Sequence, residues 1–334
     1  MSATPTMKLV KVDFAQIERA TGNLRQTEFN TSFHSAEEAP DLETPSEAPA
    51  SFKRWLPLIL RTRQLPPSAL QTVTLSRAQI CLLLKVLQST IFTGVLSRVY
   101  AEDVEDEIAP SFSNVIFPPE GLFIRLDGCS PKDGRQKVPG KIAVRSVAEL
   151  ILRLTTSLRA RNDFTRDLEE GKKEIEIFLL PFNERMMGDR EYRVFCAPGG
   201  GNITGISQYR WHRPWIFSQR SPRDMERIAS TICGGIRSIH RQILADLYNA
   251  DAVDRLLLAQ GFSFDVFFDE GEELQLVELN GFGVRSSCGS ALFQWVNDRE
   301  LLYGSASGVT EFRVAIASKD FAEEGGTAME VRGC

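Results

Sequence analysis

Residues 261–283, GFSFDVFFDEGEELQLVELNGFG, hold the side chains whose types and spacing could do chemistry. Phe262, Phe264, Val266 and Phe268 alternate with Ser263, Asp265 and Phe267; after an acidic turn, Gln275, Val277 and Leu279 alternate with Leu276, Glu278 and Asn280. Side chains two apart share a face of a strand, so Glu278 and Asn280 point the same way. A hairpin with a loop at 270–273 sets Asp269 opposite Leu274, Val266 opposite Val277, Asp265 opposite Glu278, Phe264 opposite Leu279 and Ser263 opposite Asn280. This register sorts polar from apolar residues, which a slip of one would mix. The two carboxylates then stand with Cβ atoms about 5 Å apart. They repel by roughly 3 kcal/mol at an effective dielectric of 20. A proton, a basic side chain or a divalent cation must offset that. Asp265, Glu278 and Asn280 are hard oxygen ligands of the kind magnesium takes while it keeps some waters and touches phosphate. The pattern alone leaves a second reading open, in which the acids are simply solvated on an exposed face.

Three other segments carry weaker signals. The stretch RLDGCSPKDGRQKVPGK brings Arg125, Lys132, Lys137 and Lys141 together with glycines. Such a set can contact phosphates, and an ordinary basic surface loop reads the same. Arg125 stands apart, because a charge inside an apolar strand needs a partner. Gly199-Gly200-Gly201 joins two strands and lacks the Lys-Ser/Thr that follows a phosphate cradle, so it reads as a hairpin turn. The cluster Tyr209-Arg210-Trp211-His212-Arg213-Pro214-Trp215 fits either a partner-binding or base-stacking surface or a loop that closes the core with its tryptophans.

The elements that must position these residues read as mixed α/β. Ser76-Arg77-Ala78-Gln79 is a capping box before the apolar run at 80–88, and Ser146-Val147-Ala148-Glu149 is a second, opening one helix over LILRLTTSLRAR. Ser221, Pro222 and Asp224 start a third helix, whose apolar stripe from Met225 through Ile228, Ile232, Ile236, Ile239 and Ile243 to Leu247 has the 3.6 period. Gly234-Gly235 interrupts that stripe and marks a close approach to a sheet. Strands are expected at 121–126, 174–180, 192–195 and 203–208. A short helix is expected over 8–20. Residues 27–50, rich in Glu and Asp with no Lys or Arg, are expected to be a disordered linker, and 306–334 a flexible tail.

Bulk properties narrow the function classes. The 334 residues are 43% hydrophobic and 25% charged with a net charge of -5, which argues against a general nucleic-acid binder. The six cysteines show no CxxC spacing and the three histidines are scattered, so free thiols in a reducing compartment are expected and a histidine metal site is not. The first residues lack a signal-peptide run and no apolar stretch reaches the ~18 residues of a membrane span. A soluble, cytoplasmic, monomeric protein with no membrane or direct nucleic-acid partner is the expectation.

Several segments in order give a resemblance. They are Phe52 to Pro67, the strand leading into Cys129-Ser130-Pro131-Lys132-Asp133, Asn162 to Asp167, Glu191-Tyr192-Arg193, residues 205–209, Phe264-Asp265-Val266, Leu279-Asn280 and Leu292 to Trp295. Over roughly 52–303 the chain resembles the cell-division-cycle-123 family, ATP-grasp proteins that act as assembly chaperones for translation initiation factor 2. The resemblance implies an ATP-grasp-like α/β (α+β) fold of two subdomains with a nucleotide cleft between them, the cofactors ATP and Mg2+, and the gamma subunit of that factor as partner. It implies a phosphate contact at Arg125, where relatives have lysine, and metal ligands at Asp265, Glu278 and Asn280. Arg193 and Lys141 are further nucleotide contacts, and Leu180, Pro181, Phe182 and Asn183 form the hinge that reads adenine. An acid followed by Glu-x-Asn is also the pattern of catalytic ATP-grasp enzymes, so an ADP-forming carboxylate ligase acting on a small molecule or peptide is the alternative. Catalytic residues remain unassigned.

The departures lie at Pro181-Phe182-Asn183, where relatives have a basic run; at Asn280-Gly281-Phe282, where they have Asn-Pro-Phe; and at 134–144, which is longer. The expected organisation is an acidic segment at 1–50, the first part of the body at 51–180, a second subdomain with the metal hairpin at 181–305, and the tail.

Overall fold

Met7, Leu9 and Lys11 are buried while their neighbours are half-buried. That period of two makes a strand, β1 (Thr6–Asp13), and only then does the chain turn into a helix, α1 (Phe14–Thr21). Asp13 marks the change by accepting the Ala15 N–H at 3.0 Å. The single helix expected over 8–20 is therefore corrected: its apolar residues are strand-spaced up to Asp13. The computed structural model describes residues 6–21, 28–186, 188–248, 251–304, 309–317 and 329–331. The chain forms two units, one of Met1–Gln64 with Arg185–Cys334 and one of Leu65–Glu184. The first includes α2 (Phe52–Thr62), capped by Ser51 on the Arg54 N–H.

The second unit begins with β2 (Gln71–Ser76) and α3 (Arg77–Thr93), joined by the Ser76/Gln79 capping box with both reciprocal hydrogen bonds in place. Gly94 ends α3 in the left-handed conformation, φ +66°. A short α4 (Ala101–Asp103) continues in helical turns to Phe112. Then come β3 (Leu122–Arg125), α5 (Val147–Thr155), α6 (Leu158–Glu169) and β4 (Glu174–Pro181). The three strands form an antiparallel sheet in the order β2-β4-β3. Its core joins Leu75, Ile80, Leu83, Leu122, Leu154, Phe164 and Ile177. The one helix expected from 147 onward is two, because Ser157 caps a new start by accepting the Ala160 N–H.

The first unit resumes with β5 (Glu191–Cys196) and β6 (Ile203–Gln208), followed by α7 (Pro222–Ala245), α8 (Ala252–Gln260), β7 (Phe262–Phe268), β8 (Leu274–Gly281), α9 (Arg299–Leu302), β9 (Val309–Ile316) and β10 (Met329–Val331). Among the described residues its sheet has the order β10-β1-β9-β6-β5-β7-β8, parallel at β1/β9 and β9/β6 and antiparallel elsewhere. The α7 stripe from Met225 to Ile243 is buried, and Gly235 approaches the hairpin so closely that a Cβ would stand 2.5 Å from Leu274 Cδ1.

Two expectations of disorder are corrected. Residues 28–50 are ordered, because their backbone takes partners from a distant loop: the Asn30, Phe33 and His34 N–H groups donate to Ala291, Ser286 and Val284 carbonyls at 2.7, 2.9 and 3.2 Å. Thr31 and Ala39 are buried there. In the expected tail, β9 lies inside the sheet with Phe312, Val314 and Ala315 fully buried; residues 305–308, 318–328 and 332–334 lie outside the described residues. Trp211 and Trp215 are core residues, as the second reading of their cluster had it. Among the described cysteines, Cys81, Cys129, Cys196 and Cys288 are free thiols. No described helix is long and apolar enough to cross a membrane.

Candidate functional site

The hairpin β7–β8 has the expected register where it matters: Asp265 pairs with Glu278, Phe264 with Leu279 and Ser263 with Asn280. Directly opposed residues in an antiparallel pair share a face, so the two acids and the asparagine stand together. Nearer the turn the expectation is corrected. An irregularity after Asp265 leaves Val277 as an extra residue on β8, so Val266 faces Leu276 and Phe268, not Asp269, faces Leu274. A bulge of this kind bends a strand and is invisible to alternation alone.

A basic side chain answers the repulsion. Arg193, on β5 opposite Asp265, places Nε 2.8 Å from Oδ1 and Nη2 2.7 Å from Oδ2. Asp265 is fully buried and Arg193 is nearly so. The guanidinium also donates from Nη1 to the Gly289 carbonyl at 2.8 Å and lies 5.0 Å from the centroid of the Tyr209 ring. Burial would pull the arginine pKa down, but the adjacent Asp265 carboxylate holds it well above its ordinary value. Asn280 donates from Nδ2 to Asp265 Oδ2 at 3.3 Å, which leaves its Oδ1 as an acceptor. Glu278 is half-buried on the same face. On the same face, two residues before Asp265, Ser263 Oγ lies 3.1 Å from Cys288 Sγ, and burial pushes that thiol up to about 11.

Among the expected site residues, the structure thus brings together Arg193, Asp265, Glu278 and Asn280. Tyr209 and Gly289 complete the setting of Arg193 and were not foreseen; Gly289 lies 96 positions away and contributes only a carbonyl, so no local signal could mark it.

The other expected residues belong to the second unit. Arg125 is buried in β3 opposite Phe178, near enough to Asp163 and Cys129 to influence both. Asp163 accepts from the Gly128 N–H at 3.3 Å and pairs with Arg166; burial outweighs that pairing and raises its pKa to about 6. Leu180 and Pro181 end β4 opposite Phe123 and Leu122, and the Phe182 N–H is donated to the Gly121 carbonyl at 2.9 Å. Proline has no N–H, so along 181–182 no backbone donor is left for a base. Exposed Lys141 sits with Nζ 3.5 Å from Glu184. Among the described residues no three His, Cys, Asp or Glu side chains converge as a metal cluster.

No family model matches the chain, and no curated protein matches it. Solved structures do. C-terminally truncated Cdc123 from Schizosaccharomyces pombe is 17% identical with a TM-score of 0.52, the match covering 80% of this chain and 96% of that one. The longer form of that protein gives 18%, 0.49, 80% and 95%. D-alanine–D-alanine ligase from Helicobacter pylori gives 16% and 0.33, covering 76% of this chain and 57% of that one. The likeness to Cdc123 shows the fold: the chain has the ATP-grasp-like α/β fold that the resemblance implied.

Proposed function

We propose that the chain binds ATP with magnesium on the Asp265–Glu278–Asn280 face and serves as a nucleotide-dependent assembly chaperone, with the gamma subunit of translation initiation factor 2 as its client. The observation that carries the reading is that these three oxygen-bearing side chains share one face, on a fold like that of Cdc123.

The donor set fits a hard cation in type, since two carboxylates and a carboxamide oxygen suit magnesium. Its charge is reduced by Arg193: with Asp265 neutralised by the guanidinium, only Glu278 adds net negative charge. Asp265, Glu278 and Asn280 would hold the ion, and the ion would neutralise polyphosphate charge. The remaining work falls to the chain's own groups. Arg193 offsets the charge of Asp265 and fixes the plane of its carboxylate. Asn280 keeps its amide turned so that Oδ1 points away from Asp265. A site with one net negative charge binds magnesium weakly alone and better when phosphate oxygens complete the ligand set.

The test is a thermal-shift series with magnesium, ADP and ATP, followed by affinity capture of the gamma subunit with and without ATP–magnesium. The reading expects ATP–magnesium to stabilise the protein, little effect of magnesium alone, and ATP-dependent capture. Arg125→Met and Lys141→Met probe the phosphate contacts implied by the resemblance. Absence of any ATP–magnesium stabilisation overturns the nucleotide reading. Stabilisation without capture overturns the chaperone role and leaves nucleotide binding in place.

A further inference from the structure

The strand that carries Glu278 and Asn280 holds one residue more than a regular ladder takes. Toward the turn, Leu274 pairs with Phe268 and Leu276 with Val266. Continued without a break, that register would set Val277 opposite Asp265 and Glu278 opposite Phe264. Glu278 would then lie on the apolar face, since neighbours along a strand point to opposite sides. The observed pairing is Asp265 with Glu278 and Phe264 with Leu279, and Val277 absorbs the difference. The apolar phase changes at the same point. Leu274 and Leu276 share the face of Phe268 and Val266, and beyond Val277 it is Leu279 that shares the face of Phe264.

A bulge takes backbone groups out of the ladder, and such groups need other partners. Among the described residues β8 is the last strand of its sheet, so its outer edge has no neighbouring strand to supply them. The C-terminal end of α2 does so. Thr62 Oγ1 accepts the Leu276 N–H at 3.0 Å and donates to the Ile59 carbonyl of its own helix at 3.1 Å. Arg63 Nε donates to the Leu276 carbonyl at 3.1 Å, and Nη2 donates to the Val277 carbonyl at 3.2 Å. Nε and Nη2 lie on one edge of the guanidinium, the edge that Arg193 presents to Asp265. In a regular strand successive carbonyls point to opposite edges. One guanidinium edge that takes the carbonyls of both Leu276 and Val277 therefore fits the bulged form of β8 and not the regular one.

Resting on the reading of the Asp265–Glu278–Asn280 face as a magnesium–ATP site, we propose that Arg63, with Thr62, is a positioning residue of that face. It holds the extra residue of β8 at Val277, so that Glu278 and Asn280 keep their places opposite Asp265 and Ser263. The effect passes through the Leu276 and Val277 carbonyls, immediately before Glu278. Arg61, on the same turn of α2, supplies a control. Its guanidinium goes to Gln242 Oε1 at 3.2 Å and to Asp246 Oδ2 at 2.9 Å, at the end of α7.

The experiment is a calorimetric titration of the full chain with ATP, once with magnesium and once with EDTA in its place, beside urea unfolding. It compares wild type, Arg63→Met, Arg63→Lys, Arg61→Met, and a chain lacking Val277 with and without Arg63→Met. Deleting Val277 leaves an unbroken ladder in which Glu278 follows Leu276 directly and still faces Asp265, so Arg63 has no bulge to hold. Arg63→Met is expected to lower the magnesium-dependent affinity about tenfold or more, as loss of a group that orients a metal ligand does, with the affinity in EDTA unchanged. Arg63→Lys keeps the charge without the fork and is expected to lose most of the same affinity. Arg61→Met is expected to leave both affinities as in wild type. The chain lacking Val277 is expected to retain its magnesium-dependent affinity, and Arg63→Met to lower it no further. A general loss of stability would neither separate the magnesium and EDTA titrations nor depend on Val277. An Arg63→Met or Arg63→Lys protein that binds as wild type does overturns the proposal, as does an equal loss with and without Val277. A wild type with no magnesium-dependent affinity overturns the reading of the face and this proposal with it, whereas equal affinities in a wild type that binds overturn the proposal alone. If the chain lacking Val277 does not fold, the Arg63 variants set against Arg61→Met decide, and equal losses in all three overturn it.

Discussion

Arg193 and Asp265 face each other across β5 and β7 and exchange two parallel hydrogen bonds, 2.8 and 2.7 Å long, with both side chains buried. A pair of this geometry is worth little compared with a well-packed apolar pair, but breaking it strands a charge. Arg193→Met should therefore destabilise the protein by about 3–5 kcal/mol, with Arg193→Lys intermediate because one ammonium cannot replace the fork. Adding Asp265→Asn to Arg193→Met should recover part of the loss. Urea unfolding of the two single variants and the double variant checks this; additive losses would rule out the coupling.

Glu278 differs from Asp265 in being half-buried and in standing outside the Arg193 fork. That makes it the cleaner probe of the proposed metal face. Glu278→Gln should leave urea stability within about 1 kcal/mol of wild type. Magnesium-dependent ATP affinity should fall roughly tenfold, about 1.4 kcal/mol. Urea unfolding reads the first quantity, and isothermal titration with ATP at varied magnesium reads the second. Unchanged affinity would remove Glu278 from the metal set.

Asp163 predicts a pH dependence of opposite sign to the usual carboxylate. Its folded pKa is raised to about 6 by burial, despite Arg166 beside it. Unfolded, it titrates near the ordinary value of about 3.9. Between those values the folded state keeps a proton that the unfolded state has lost. Its contribution to stability is full below the unfolded pKa and is lost as pH rises through about 6, with a slope of up to about 1.4 kcal/mol per pH unit. Urea midpoints from pH 4 to 7 should show this fall in wild type, and Asp163→Asn should flatten it.

What the sequence made legible follows from the range of the forces involved. Asp265, Glu278 and Asn280 could be paired correctly because register within one hairpin is set by alternation and one turn. The extra residue at Val277 escaped because Leu276, Val277 and Leu279 are all apolar, and a bulge among apolar residues leaves the face pattern almost intact. Helix starts at Ser76 and Ser221 were plain from the cap residues, whereas Ser157 was hidden in a run, TTSLRAR, with no Glu or Gln three positions on. Residues 28–50 were misjudged for a different reason. Composition asks whether a segment can order itself, and this one is ordered by others: Thr31 is held by Ser290, Asp41 by Arg299 and Glu47 by Ser287. Likewise β9 earns its place between β1 and β6 through parallel pairings to strands more than a hundred residues away, which no local window contains.

Gly234 and Gly235 offer a test of the packing that positions the hairpin. They are neighbours on α7, yet only one meets anything. A Cβ at Gly234 would find nothing within 4 Å, whereas a Cβ at Gly235 would lie 2.5 Å from Leu274 Cδ1 and 3.1 Å from Leu274 Cβ. Leu274 is the first residue of β8 and pairs with Phe268, so pushing it away disturbs the turn end of the strand that carries Glu278 and Asn280. Gly234→Ala should be stabilising by up to about 1 kcal/mol, the helix-propensity difference. Gly235→Ala gains the same propensity but must force α7 and β8 apart, and overpacking of this kind costs about 1–3 kcal/mol. The two variants should therefore move the urea midpoint in opposite directions, Gly234→Ala up and Gly235→Ala down. If both rise, α7 and β8 are not packed as closely as the Gly235–Leu274 approach requires.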